Sequence, residues 1–170
     1  MKKVYTLIFL ITTMHLRAQD KPTPTDVFSI QGEVKAGRQI GFADIEKLTV
    51  HPIGDVVITN HAGEVKGTAK GLQGVRLKEL MAGVQLATDN PRLNSTYYFV
   101  VKASDGYTVV FSWNEIFNSP IGEKLYIVTA KDGVALRNMT ERILLISPTD
   151  LNTGRRYVKG LSEIQVKRAL

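Results

Sequence analysis

The sequence predicts an α+β fold with mixed or antiparallel sheets and short helices. Runs of alternating or β-branched residues recur along the chain. The helical patterns between them are short. Strands and helices do not alternate in the regular βαβ order that marks a parallel sheet. The 170 residues suffice for one domain, and 44% hydrophobic with 22% charged residues is a globular composition.

Each element has its own signal. Val27 to Val34 alternates apolar and polar side chains, with Gly32 interrupting the pattern, and reads as a strand. Phe42, Ile45 and Leu48 repeat at helical spacing. Val56 to Thr59 (VVIT) is a β-branched strand, and Asn60 to Gly63 a loop after it. His51, before Pro52, marks a strand end. Leu77, Leu80, Met81 and Val84 form the apolar face of a second helix. Tyr97 to Ala103 and Tyr107 to Phe111 are strands joined through Asp105-Gly106, residue types that tolerate the positive φ of hairpin turns. Ser112 with Glu115 three places on is a capping box. Trp113, Ile116 and Phe117 are the apolar face of the helix it opens, and Pro120 ends that helix. Leu125 to Ala130 is a strand before the turn Asp132-Gly133, and Arg142 to Ile146 and Tyr157 to Val166 close the chain as strands.

The amino terminus has a different character. Lys2 and Lys3 precede the apolar run Val4 to Met14, and Leu16-Arg17-Ala18 ends on a small residue, the layout of a secretory signal peptide. Residues 1–18 are therefore expected to be removed on export, with a periplasmic or secreted location. The apolar run is shorter than the roughly 20 residues of a spanning helix, so no membrane span is expected after cleavage. Residues 19–26, with Pro22 and Pro24, read as a flexible lead-in to a domain over residues 27–170. Cleavage removes Lys2, Lys3 and Arg17 from 22 basic residues, leaving 19 against 16 acidic ones, a net charge of +3. That mild excess does not point to nucleic acid, which calls for a dense basic face. No cysteine is present, so disulfides and lipid attachment through a cysteine are excluded.

The chain carries no Gly-x-Ser-x-Gly elbow and no His-Glu-x-x-His zinc helix. Gly63, Gly67, Gly71 and Gly74 lack the Gly-Lys-Ser/Thr ending of a phosphate loop. The richest stretch is Ile146 to Val166, where a turn-rich loop presents Arg155, Arg156 and Lys159 between two strand-like runs. Cations on a rigid loop suit an oxyanion, because guanidinium groups offer paired donors. Thr149, Asn152 and Thr153 are placed to orient that loop through side-chain to backbone hydrogen bonds.

Four segments in order carry a resemblance: FSIQGEVKAGRQIGFADIEKL, GVRLKELM, VVKASDGYTVVFSWNEIF and ERILLISPTDLNTGRRYVKGLSEIQVKR. Together they resemble the molybdopterin-binding oxidoreductase domain of the sulfite oxidase type, in a small exported form. The resemblance implies a molybdopterin cofactor whose metal is also held by a cysteine thiolate in the loop after Val56 to Thr59. Here that loop reads Thr59-Asn60-His61-Ala62-Gly63, with no thiolate. It further implies that Arg155, Arg156 and Lys159 surround the pterin phosphate, that Tyr107 on the hairpin lies on the cofactor side, and that Asn60 and His61 face the place the thiolate would fill. The expected function is a domain binding a pterin cofactor or another anionic small molecule without redox chemistry of its own and with no protein-ligated metal. An envelope redox partner is its expected macromolecular contact. The alternatives are an active molybdenum-dependent oxidoreductase, or an envelope interaction protein that kept only the scaffold.

Overall fold

The computed structural model describes residues 21–169; the expected signal peptide lies outside them. The chain folds into two sheets. The first contains β1 (Val27–Gly32), β2 (Arg38–Gly41), β5 (Tyr97–Ala103), β6 (Thr108–Ser112) and β10 (Leu161–Arg168), in the order β2-β1-β10-β5-β6. The second contains β3 (His51–Thr59), β4 (Val65–Arg76), β7 (Tyr126–Lys131) and β8 (Val134–Ala135), in that order, with β9 (Leu145–Ile146) paired to β7. The β1–β10 pair is parallel and every other named pair is antiparallel, so the first sheet is mixed, the second is antiparallel and the fold is α+β. Three helices, α1 (Phe42–Ile45), α2 (Leu77–Met81) and α3 (Trp113–Phe117), are short.

The last strand is central to the first sheet: β10 lies between β1 and β5. Its Ile164 and Val166 are buried with Phe28 and Ile30 of β1 and Phe99 and Val101 of β5, in the hydrophobic cluster that also takes in Ile127 and Leu145. In β5 the side chains of Tyr97, Phe99, Val101 and Ala103 alternate inward, the period a strand with one buried face requires. At Gly32 (φ +100°) an added Cβ would stand 2.2 Å from the carbonyl oxygen of Val166, so only glycine lets β1 end against β10. The predicted capping box is present. Glu115 N donates to Ser112 Oγ at 3.1 Å, and Ser112 N donates to Glu115 Oε2 at 2.7 Å.

Several elements differ from the sequence reading. β4, twelve residues long, was not expected: Gly67, Gly71 and Gly74 interrupt its pattern, and the strand exists because it pairs with β3 on one side and β7 on the other. β2 was also unexpected; Ile40 is its only buried residue. The predicted Tyr157 to Val166 strand is broken at Gly160 (φ +61°): Val158 bridges to Leu145, and β10 begins at Leu161. Only Leu145 and Ile146 of the Arg142 to Ile146 run form a strand.

The lead-in is not loose from Thr23 onward. Thr23 N donates to Ser104 Oγ at 2.9 Å, and Ser104 Oγ donates to Thr23 O at 2.7 Å. Thr25 Oγ1 donates to Leu161 O at 2.7 Å and accepts from Ile143 N at 3.1 Å, and Arg142 Nε donates to Asp26 at 2.8 Å. Two prolines and no apolar run suggested flexibility, but threonine hydroxyls and backbone groups hold the segment to the domain. Among the described residues no helix is long and apolar enough to cross a membrane.

Candidate functional site

The site is assembled at one end of β3, where three loops meet. The first is the turn 60–64 between β3 and β4. Asn60 organises it: its Oδ1 accepts from Ala62 N at 2.9 Å and Glu64 N at 3.0 Å, and its Nδ2 donates to Glu64 Oε2 at 2.8 Å. An asparagine side chain bonding backbone two residues on is ordinary turn chemistry, and here it takes up both lone pairs of the amide oxygen and one of the two N–H donors.

The second loop is the single turn of 3₁₀ helix Thr153–Arg156, which lies along the end of β3. Thr153, 7% exposed, donates from Oγ1 to Val57 O at 2.7 Å and accepts from Thr59 N at 3.1 Å, so it satisfies the edge of β3 and fixes its own loop there. Gly154 packs so closely that an added Cβ would be 1.8 Å from Thr59 O. The third loop is the hairpin tip of β5 and β6, where Asp105 Oδ1 accepts from Tyr107 N at 2.9 Å.

Arg155 ties the three together. Its guanidinium NH2 donates to His61 O at 2.7 Å, and its carbonyl oxygen accepts from the Tyr107 hydroxyl at 2.6 Å. The rings of His61 and Tyr107 stand 6.1 Å apart. Burial pushes the Tyr107 hydroxyl pKa up against the opposing pull of Arg155, so it stays protonated at neutral pH and keeps donating.

These loops border a shallow, open cavity of about 500 Å³ lined by Asn60, His61, Tyr107 and Lys159, with Gly154 and Tyr157. Four of the six candidate residues thus face one hollow. Lys66 and Lys21, which no local sequence pattern marks, line it as well, with Asp105 as the one carboxylate of the lining among the described residues. Lys159 is ion-paired with Glu141, which also takes Lys131 at 2.6 Å, and the Lys159 ammonium lies 5.4 Å from the centre of the Tyr157 ring. Burial pushes the Glu141 carboxyl up, but the hydrogen bonds from the two lysines outweigh it and hold it below the usual carboxylate range. One carboxylate between two ammonium groups leaves a net positive charge beside the cavity.

Thr59 and Tyr157 line the cavity, but their hydroxyls are buried and do not open into it, and neither has a hydrogen-bond partner among the described residues. Lys131 sits 6.0 Å from the Tyr157 ring centre without meeting its hydroxyl in hydrogen-bond geometry. Burial pushes the Tyr157 pKa up, so the group is a neutral donor at pH 7. Unmatched buried hydroxyls are uncommon in folded proteins.

Arg155 and Arg156, both expected at the ligand, do not line the cavity; Arg155 spends its guanidinium on the His61 carbonyl. Arg156 is turned away from it. Its Nε and NH2 donate to both oxygens of Asp150 at 2.6 Å, and its NH1 donates to Glu115 at 2.8 Å. The guanidinium carbon lies 4.5 Å from the centre of the Phe111 ring. The bidentate pairing raises the Arg156 pKa further despite burial. Its donors serve the fold, clamping the 147–156 loop to α3, and leave little for a ligand. Trp113 likewise stands away from this cavity, against Phe117 at 5.4 Å between ring centres, on the packing side its helical spacing indicated.

A molybdenum held by a protein ligand does not fit these residues. Thiolate is absent, the Asn60 amide oxygen already accepts two bonds within its own turn, and no group of three or more His, Cys, Asp or Glu side chains suited to a metal occurs among the described residues. An organic anion fits better: the lining lysines are donors of the kind a phosphate accepts from.

No family model matches the chain, and no curated protein matches it. Solved structures do. The fold is similar to that of a sulfane dehydrogenase. The crystal structure of the sulfane dehydrogenase SoxCD from Paracoccus pantotrophus aligns with a TM-score of 0.62 and 14% identity, covering 82% of this chain and 37% of that one. At that identity the likeness is one of fold, and this chain spans little more than a third of the SoxCD chain's length.

Proposed function

We propose that the protein is an exported domain on a molybdopterin-oxidoreductase-like scaffold that binds a pterin cofactor or another anionic small molecule, without redox chemistry through a protein-ligated metal. One observation carries this: the loop at Asn60 and the loop at Arg155 face a single cation-lined cavity rather than opposite sides of the domain. The sulfite-oxidase-type resemblance and the fold shared with SoxCD support the scaffold. The basic start, apolar run and small residue at Ala18 support export, and with it an envelope redox partner to which the bound ligand would be presented.

In this role the residues bind and orient. Lys66 and Lys159 supply charge, and the Tyr107 and His61 rings, tilted 45° to one another, form an angled aromatic wall. Arg155 fixes that wall by holding the His61 carbonyl and accepting the Tyr107 proton donor. A bound pterin would supply a planar ring for that wall and a phosphate for the lysines.

Protein purified from its own host tests the proposal by elemental analysis and pterin fluorescence after denaturation. The expected result is a bound pterin or other small anion with no stoichiometric molybdenum. Stoichiometric molybdenum would overturn the non-redox assignment. Phosphate affinity unchanged in the His61→Ala, Lys159→Ala double variant would overturn the site.

A further inference from the structure

The cavity has a wall that does not belong to the sheet scaffold. Lys21 and Pro22 line it together with Ala103 and Asp105, although they precede the first strand. Their position is fixed from the next residue on by the reciprocal pair of hydrogen bonds between Thr23 and Ser104. Gly160 shows how close the fit is: an added Cβ there would lie 2.2 Å from Thr23 O and 2.6 Å from Ser104 Oγ. Behind Thr23, Thr25 is held by Leu161 and Ile143, and Asp26 by Arg142. A linker needs none of these contacts.

The charges around this wall are unequal in their commitments. Lys159 is paired with Glu141, Lys66 lies 3.1 Å from Glu64, and Asp105 faces the same hollow while accepting from Tyr107 N. Lys21 has no carboxylate within ion-pair distance among the described residues, and its side chain is exposed at the mouth. It is the cation of the lining with the least to give up on meeting an anion. Pro22, half-buried beside it, adds apolar surface to that of Ile58, Ala103 and the two tyrosine rings.

We propose that residues 21–26 are a strap belonging to the binding site, in which Lys21 meets the anionic group of the ligand and Pro22 packs against its body. The ligand class is a phosphate or carboxylate carried on an apolar or ring-bearing body. The proposal rests on the anion-binding function above and adds that the site is incomplete without the strap.

Inorganic phosphate and phenyl phosphate serve as probes, titrated into protein from its own host and into variants, with thermal unfolding as the folding control. Phenyl phosphate is expected to bind about tenfold tighter than phosphate, in keeping with one ring buried against apolar walls. Lys21→Gln is expected to weaken both probes by about three- to fivefold, Lys21→Arg to restore them, and Ser104→Ala, which releases the Lys21 to Thr23 end of the strap while Thr25 and Asp26 stay anchored, to weaken both with little change in melting temperature. If Lys159→Ala weakens both probes while Lys21→Gln and Ser104→Ala leave them unchanged, the strap is overturned and the anion site stands. If phosphate and phenyl phosphate bind equally, the ligand class is overturned. If neither probe binds, the strap fails together with the site it completes.

Discussion

Replacing Arg156 with alanine separates a cation that holds the fold from one that holds a ligand. In the native structure the guanidinium makes three hydrogen bonds to two carboxylates, with its side chain 19% exposed against 13% for Asp150 and 33% for Glu115. Removing it leaves both carboxylates without their countercharge and takes a flat group off the Phe111 ring. A fully buried pair broken in this way costs about 3–5 kcal/mol; partial exposure of Glu115 reduces that to about 2–3 kcal/mol. For a domain of this size each kcal/mol moves the melting temperature by about 2–4 °C, so a drop of about 4–12 °C is expected. Thermal unfolding followed by circular dichroism reads it directly. Phosphate affinity, measured well below the new melting point, should stay within about twofold of wild type, because the side chain does not line the cavity. An unchanged melting temperature together with lost affinity would refute the clamp and return Arg156 to the ligand.

The same clamp sets an acid limit. Burial raises Asp150 and Glu115, but the hydrogen bonds from Arg156 and its neighbours outweigh burial and hold both pKa values below the ordinary range. Their stabilisation is present above the unfolded-state values of about 4 and is lost as pH falls through the lower folded values; Asp150→Asn should flatten this acid loss in a melting-temperature profile from pH 7 to 3. Thr153→Val, which strips the partners of Val57 O and Thr59 N, should cost about 1–3 kcal/mol in denaturant unfolding. Gly154→Ala puts a methyl group on the Thr59 carbonyl and should cost about 1–3 kcal/mol, lowering phosphate affinity as the loop is displaced. Lys159→Ala should weaken phosphate by roughly fivefold with little change in stability, the worth of a partly screened charge.

Local chemistry was legible in the sequence, and distant partners were not. The strand Tyr97 to Ala103, the Asp105-Gly106 turn and the Ser112–Glu115 cap each rest on residues within a few places of one another, and each stands where it was read. β4 could not be read this way. Its glycines include Gly71 at φ +55°, whose N–H donates to Asp55 at 2.8 Å, so the strand bends through an irregular ladder that no period of two describes. In the site, Asn60, His61, Tyr107 and Lys159, read from the loop chemistry and the resemblance, line one cavity, while Arg155 does not. Arg156 was misplaced because Glu115, one of its two acids, lies 41 residues away; Asp150, only six residues before it in the same loop, was the available clue. Lys21 was hidden in a proline-rich lead-in whose anchors, Ser104 and Leu161, no local pattern reveals.

A phosphate titration followed by backbone amide chemical shifts bears most directly on whether the three loops form a working site. Saturable shifts at Asn60, His61, Tyr107 and Lys159, with Arg156 and Asp150 unmoved, are the predicted result. Shifts scattered over the surface lysines with no saturation, or shifts centred on Arg156, would contradict it.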